Sequence, residues 1–372
     1  MMRRWMRQAL RLAQRLVLTD AAPPPAPVSA PVPAPAPAGP PPEAVPESGI
    51  PAAFAAEEIP AIAAPPGPHE QLPLPLLVQP AGPGVSVPGT FIHSQGTRDY
   101  LLYLPPMATG QPPPLVVMLH GCGQDAADFA RGTGMDEAAR AAGALVLYPE
   151  QPGSANPGRC WNWFSRRHQQ RSHGEPALLA AMVQHIAAAH GVDLARIYVA
   201  GLSAGGGMAV VLGNAFPDLF AAVGVHSGVA QGLASDVMDA LAVMRNGPVR
   251  DAPPPSGGGA PPVIVFHGDA DATVHPRNGA QVLAAALLGH GLAGGPPLPP
   301  PEVHSGTVAG RSFTRSTYAA ADGWGAEYWE LQGGGHAWSG GNAGGSHADP
   351  AGPSASAEML RFFLAHRRPQ QP

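Results

Sequence analysis

Ser203 stands in the stretch VAGLSAGGGMAV, residues 199–210, with Gly201 two positions before it and Gly205 two positions after. A serine hydroxyl is a weak nucleophile. It attacks an acyl carbon only when a neighbouring base takes its proton, and the base works only when a third group orients it. G-x-S-x-G between a strand and a helix is the turn that supplies such a serine. The residue is lifted clear of the sheet on a strained backbone, and only glycine fits on either side. The preceding ARIYVA reads as an apolar strand, and GGGMAVVLGNAFP reads as a helix. The competing reading is a tight turn in a chain that holds 47 glycines.

A serine elbow predicts that an acid and then a histidine follow in chain order, each just past a strand. After PPVIVF comes HGDADATVHP, with Asp269 and Asp271; after AEYWELQ comes GGGHAWSGG, with His336. Asp271 is preferred as the acid because it lies further past the strand, in an H-G-x-x-D-x-x-V arrangement. Asp269 is the alternative, and its other role would be to satisfy loop amides. His336 is preferred as the base over His267 and His275, which are local to the acid loop.

The tetrahedral intermediate needs amide donors for its oxyanion. One is expected from Ala204, directly after the nucleophile. VVMLHGCGQD offers the second, at the Cys122 amide or, failing that, at Gly121. Taken alone, HGCG is also a tight turn before a helix.

Alternating strands and helices must hold these groups. PPLVVMLHG, ALVLYPE, ARIYVAG, AAVGVHSG and PPVIVFHG are continuous apolar runs, the pattern of strands buried on both faces. MDEAARAAG, EPALLAAMVQHIAAAHG, GGGMAVVLGNAFP, NGAQVLAAALLGHG and SASAEMLRFFLAHRR read as the helices between and after them. The expected class is α/β, with a mostly parallel sheet flanked by helices on both faces and a site at the carboxyl ends of its strands. Residues 245–262 and 294–306, rich in glycine and proline, read as loops.

This globular part is expected to span residues 84–368. Residues 21–83, dominated by PPPAPVSAPVPAPAPAGPPP and similar runs, read as a semi-rigid polyproline-like spacer. In residues 1–20, Arg3, Arg7, Arg11 and Arg15 fall on one helical face, with apolar residues elsewhere. That segment is too charged to span a bilayer, and it lacks the apolar core and cleavage site of a secretory signal. Contact with a membrane surface or a granule is the functional reading; a short solvated helix is the other.

Of the 372 residues 13% are charged, and the formal net charge is −5, so no strong field points to nucleic acid. With neither zinc-spaced cysteines nor HExxH, no metal or other cofactor is expected.

Together, LHGCGQDAADFARGTGMDEAARAAGALVLYPEQ, NPGRCWNWF, GLSAGGGMA, HGDADATVHPRN and GGGHAWSGG resemble the poly(3-hydroxybutyrate) depolymerase-type esterases. These are α/β-hydrolases whose relatives include feruloyl and acetyl-xylan esterases. The resemblance implies a Ser203–His336–Asp271 triad, a Cys122 amide in the oxyanion hole, and hydrolysis of short-chain hydroxyalkanoate esters. It also implies that Cys122 and Cys160 lie near the site, where a bridge would brace the oxyanion loop; two reduced buried cysteines are the alternative. The family points to an extracellular or periplasmic enzyme, whereas the missing signal leaves the cytoplasm open. A monomer acting on oligomers, amorphous polymer or small esters is expected. A carbohydrate-linked ester is the rival substrate, and a catalytically silent binding module on the same fold is the rival function. Trp161, Trp163 and Trp338 are expected to wall an apolar substrate cleft, with core packing the alternative for Trp163 and Phe164.

Overall fold

The computed structural model describes residues 84–106, 111–255 and 259–369. The basic segment (1–20) and the proline-rich stretch (21–83) lie outside the described residues.

Six strands form the parallel centre of a ten-stranded sheet: β3 (Leu115–Leu119), β4 (Leu145–Pro149), β5 (Ile197–Leu202), β6 (Ala222–His226), β7 (Val263–Gly268) and β10 (Gly325–Leu331). Their sheet order is β4-β3-β5-β6-β7-β10, and every neighbouring pair is parallel. β1 (Val85–His93) and β2 (Gly96–Leu104) extend the β4 side as antiparallel strands. β9 (Arg311–Ala319) and β8 (Glu302–Val308) do the same beyond β10.

Side-chain alternation divides the core into two layers. Leu115, Val117 and Leu119 face the layer that holds Leu178 and Met182 of α3 (Gly174–His190), Met208 of α4 (Ala204–Ala215) and Leu283 of α6 (Arg277–Leu292). Val116 and Met118 face the other layer, with Phe129 of α1 (Ala126–Thr133), Met135 of α2 (Met135–Ala142) and Phe363 of α7 (Ala355–Leu364). The central strands are therefore buried on both faces, which is why their sequences are continuous rather than alternating. This is the α/β-hydrolase arrangement.

Two elements depart from the sequence expectation. Residues 294–306, read as a loop, already enter β8 at Glu302. β8 is a sheet edge and mostly exposed, so no apolar run marks it. Of residues 245–262, also read as a loop, the first two belong to α5 (Val237–Asn246), whose N-cap Asp236 accepts a hydrogen bond from the Asp239 amide, and the other described ones are irregular.

Candidate active site

Strand ends bring the candidate groups to one edge of the sheet. His120 follows β3, Ser203 follows β5, His226 ends β6, Asp271 follows β7 and His336 follows β10. All these strands are parallel, so these positions share the carboxyl edge.

Ser203 has φ 57° and ψ −119°, a left-handed backbone that a side-chain-bearing residue holds only under strain. Its N–H donates to the His226 carbonyl at 2.9 Å. The flanking glycines follow from contact. A Cβ on Gly201 would overlap the Gly205 carbonyl, and a Cβ on Gly205 would overlap the Leu119 carbonyl oxygen at the end of β3. The next two glycines meet other walls. A Cβ on Gly206 would lie 3.2 Å from Gly228 Cα, and one on Gly207 would lie 3.0 Å from the Trp163 ring.

Asp271 is 5% exposed and uses its two oxygens differently. Oδ1 accepts the amides of Thr273 (2.9 Å) and Val274 (2.8 Å), while Oδ2 accepts His336 Nδ1 at 2.7 Å. Burial pushes the carboxyl up, but His336, the Val274 amide and His267 outweigh it and hold the group at about 2. The carboxylate fixes the proton of His336 on Nδ1 and leaves Nε2 as the free base nitrogen. Ser203 Oγ and His336 form no hydrogen bond here, so the third link of the constellation is not closed in this structure.

Asp269 instead accepts the Gly333 amide at 2.6 Å. His267 is fully buried, with Nε2 donating to the Val274 carbonyl at 2.8 Å and lying 3.5 Å from Asp271 Oδ2. His275 Nδ1 accepts the Arg277 amide at 3.2 Å. Neither competing histidine hydrogen-bonds Asp271.

In the loop after β3, the Gly121 N–H donates to Gln124 Oε1 at 2.9 Å and is therefore committed. Among the described residues no acceptor takes the N–H of Cys122 or Ala204. Cys122 is disulfide-bonded to Cys160, 38 positions on, and Gly123 N–H donates to the Gly158 carbonyl at 2.9 Å. Behind Cys160, Glu175 at the start of α3 is 2% exposed and accepts the Asn162 amide (2.8 Å), Asn162 Nδ2 (2.7 Å) and Gln151 Nε2 (2.5 Å). Gln124 reaches the other way: its Nε2 donates to Asp128 Oδ2 at 3.0 Å and to the Ser346 carbonyl at 3.1 Å. The loop is thus tied on both sides. Gln124 and Glu175 escaped the sequence reading. A glutamate opening an otherwise apolar helix, in GEPALLAAM, is the one signal that pointed to the second.

The tryptophans correct an expectation. Trp161, Trp163 and Trp338 are 0%, 4% and 1% exposed, so they do not wall an open cleft. Trp161 packs on His120, Trp163 on Phe164 and the Gly207 backbone, and Trp338 on Phe129 and His226. The indole of Trp338 donates to Ser356 Oγ at 3.1 Å, a bond that anchors it inside the core. Phe164 is half-buried.

The sequence pattern of the family described as Esterase PHB depolymerase matches residues 98–294, which include Ser203 and Asp271. Poly(3-hydroxyalkanoate) depolymerase C of Paucimonas lemoignei is 32% identical over 220 residues, 56% of this chain and 51% of that protein. Feruloyl esterase B of Neurospora crassa is 30% identical over 187 residues, 46% of this chain and 63% of that protein. The chain thus spans between half and two thirds of the length of these curated relatives. An acetyl xylan esterase from Aspergillus awamori superposes with a TM-score of 0.55 at 20% identity, covering 72% of this chain and 94% of that one. This likeness shows the fold.

Proposed function

The chain belongs to the Esterase PHB depolymerase family, and from that premise we propose that it is a serine ester hydrolase working through Ser203, His336 and Asp271. The observation that carries this reading is the division of labour at Asp271: one oxygen is anchored by two amides, and the other orients His336. With Nδ1 so engaged, His336 Nε2 takes the Ser203 proton as Oγ bonds to the ester carbonyl carbon. The carbonyl electron pair moves onto oxygen, where the unengaged amides of Cys122 and Ala204 stabilise it. Collapse breaks the carbon–oxygen bond to the leaving alcohol, which receives the proton from His336. Water then attacks the acyl-serine, with His336 again as base, and releases the acid and free Ser203. No step calls for a metal or an organic cofactor. Residues 84–368 are taken as the catalytic unit.

The substrate class we assign is a short-chain hydroxyalkanoate ester or oligomer, on the strength of the family and of the depolymerase relative. A feruloyl or acetyl ester on carbohydrate is the second reading, favoured by the feruloyl esterase relative. Ser203→Ala, assayed on a short-acyl p-nitrophenyl ester, is expected to abolish turnover; a wild-type rate would overturn the triad. Hydroxybutyrate oligomers compared with feruloyl and acetyl-xylan esters separate the two substrate readings through their kcat/KM values.

A further inference from the structure

The triad assigns no work to His226, although it is fully buried at the end of β6 between the serine and histidine loops. Its backbone carbonyl accepts the Ser203 N–H at 2.9 Å. Its side chain reaches the opposite way, and Nε2 lies 3.1 Å from the backbone N–H of Ser339, three residues beyond His336. A backbone amide donates only, so Nε2 must carry a lone pair. The proton is then on Nδ1, which donates to Ser227 Oγ at 3.1 Å. The ring is held flat, stacked on Phe266 at 5.9 Å and on Trp338 at 5.2 Å, and Trp338 itself belongs to the His336 loop. Ser227 holds φ 51°, a left-handed backbone unusual for serine, directly after this ring. Gly228, next in line, lies against Gly206 of the elbow helix.

We propose that His226 is a positioning residue that sets the distance between the Ser203 elbow and the His336 loop. The main chain of this one residue holds the nucleophile loop, and its neutral imidazole holds the base loop. This inference rests on the triad reading and adds to it the part that carries one loop relative to the other. His226 touches neither substrate nor reacting atoms.

The tautomer matters to the device. A second proton on Nε2 would face the Ser339 N–H and break the bond. His267, His336 and Asp271 are the titratable groups that act on the ring, and all three sit on one side of β6, in β7, just after it and just after β10. Two of the three are histidines, so a charged His226 has little to favour it.

The test compares His226→Phe, which keeps a flat ring but has no acceptor, with His226→Gln, whose Oε1 can accept the Ser339 amide. Both are assayed in full-length protein on a p-nitrophenyl ester, with rates referred to fluorophosphonate-titrated sites so that unfolded protein does not count. His226→Phe is expected to lower kcat by ~10²-fold, the scale of a displacement of about 1 Å in a reacting pair. KM should change less than about threefold, because the ring touches no substrate. His226→Gln is expected to recover most of kcat. If His226→Phe fails to fold, Ser227→Ala serves, since it removes the Nδ1 partner; a smaller kcat loss with KM again little changed is expected. Wild-type kcat in the folded variant overturns the proposal, as does a loss that glutamine leaves untouched. Ser203→Ala, run alongside, keeps the two readings apart. If it is inactive while His226→Phe is unimpaired, only this inference fails; if it stays active, the triad itself falls.

Discussion

Asp271 and Asp269 are two residues apart on one loop, yet only Asp271 hydrogen-bonds His336, at 2.7 Å, while Asp269 accepts the Gly333 amide at 2.6 Å. The two carboxylates thus serve different ends: one orients an imidazole, the other closes a turn. Asp271→Asn is expected to lower kcat by ~10³- to 10⁴-fold, because the amide oxygen stays with the Thr273 and Val274 N–H groups and the NH₂ turned to His336 Nδ1 favours the wrong imidazole tautomer. Asp269→Asn should keep kcat within a few-fold and cost about 1 kcal/mol of stability. Steady-state kinetics and urea unfolding of the pair provide the check; the reverse ranking would move the acid to Asp269.

Gly205 lies against the Leu119 carbonyl, a backbone atom in the central sheet that cannot step aside. Gly205→Ala is expected to cost about 3 kcal/mol or more and to cut esterase activity in the folded fraction. Denaturant unfolding and active-site titration measure the two effects separately. A stable, fully active variant would mean that the elbow does not sit where this contact requires.

Removing the Cys122–Cys160 bond should be felt in both stability and rate. It closes a segment of 38 positions, and a crosslink of that kind is typically worth about 2–4 kcal/mol. Its first cysteine carries the amide proposed for the oxyanion. Cys160→Ser is therefore expected to lower the midpoint of thermal unfolding and to lower kcat more than it raises KM. A variant with lower stability but unchanged kcat would confine the bond to a scaffold role.

Acid stability gives a separate reading of His226. Burial, with His267 and His336 nearby, lowers its pKa to about 3, against ~6.5 in an unfolded chain. Between those values the unfolded state binds the extra proton. The neutral ring therefore weighs nothing against folding above about pH 6.5, and stability falls by ~1.4 kcal/mol per pH unit below it, until pH passes the folded value. Asp136 works in the opposite sense, since burial pushes it up to about 6 and the native state holds its proton longer. Subtracting His226→Gln from wild type cancels Asp136. Stability of the variant should fall less steeply than that of wild type between pH 6 and 4, as measured by urea unfolding across that range. Parallel curves would mean that His226 is charged in the native state.

The parallel centre of the sheet was legible because its strands are buried on both faces: Leu115 to Leu119 are all core, and an apolar run of that length has few other uses. The turns that carry Ser203 and Asp271 were legible for the same reason, since each begins where such a run stops, whereas His336 follows the mixed run AEYWELQ. The outer strands were not. β1 and β8 lie at the edges with most side chains in water, so their sequences carry little hydrophobic pattern. Trp161, Trp163 and Trp338 misled because an indole in a glycine-rich loop looks the same whether it faces a cleft or the core. Only the tertiary partners, His120, Gly207 and Phe129, decide it. His226 was hidden inside a strand pattern, and its Ser339 partner lies 113 positions away.

The run Gly205-Gly206-Gly207 has a practical consequence for redesign. Gly205 abuts the Leu119 carbonyl and Gly206 abuts Gly228 Cα, both main chain, so neither position offers room to vary. The nearest neighbour of Gly207 is Trp163, a side chain that can be exchanged. Positions 207 and 163 therefore form a matched pair in volume. An alanine at 207 with a smaller aromatic at 163 would move bulk across the elbow helix while leaving the serine turn intact. A directed library aimed at the packing of the elbow helix would do better to randomise these two positions together than either one alone.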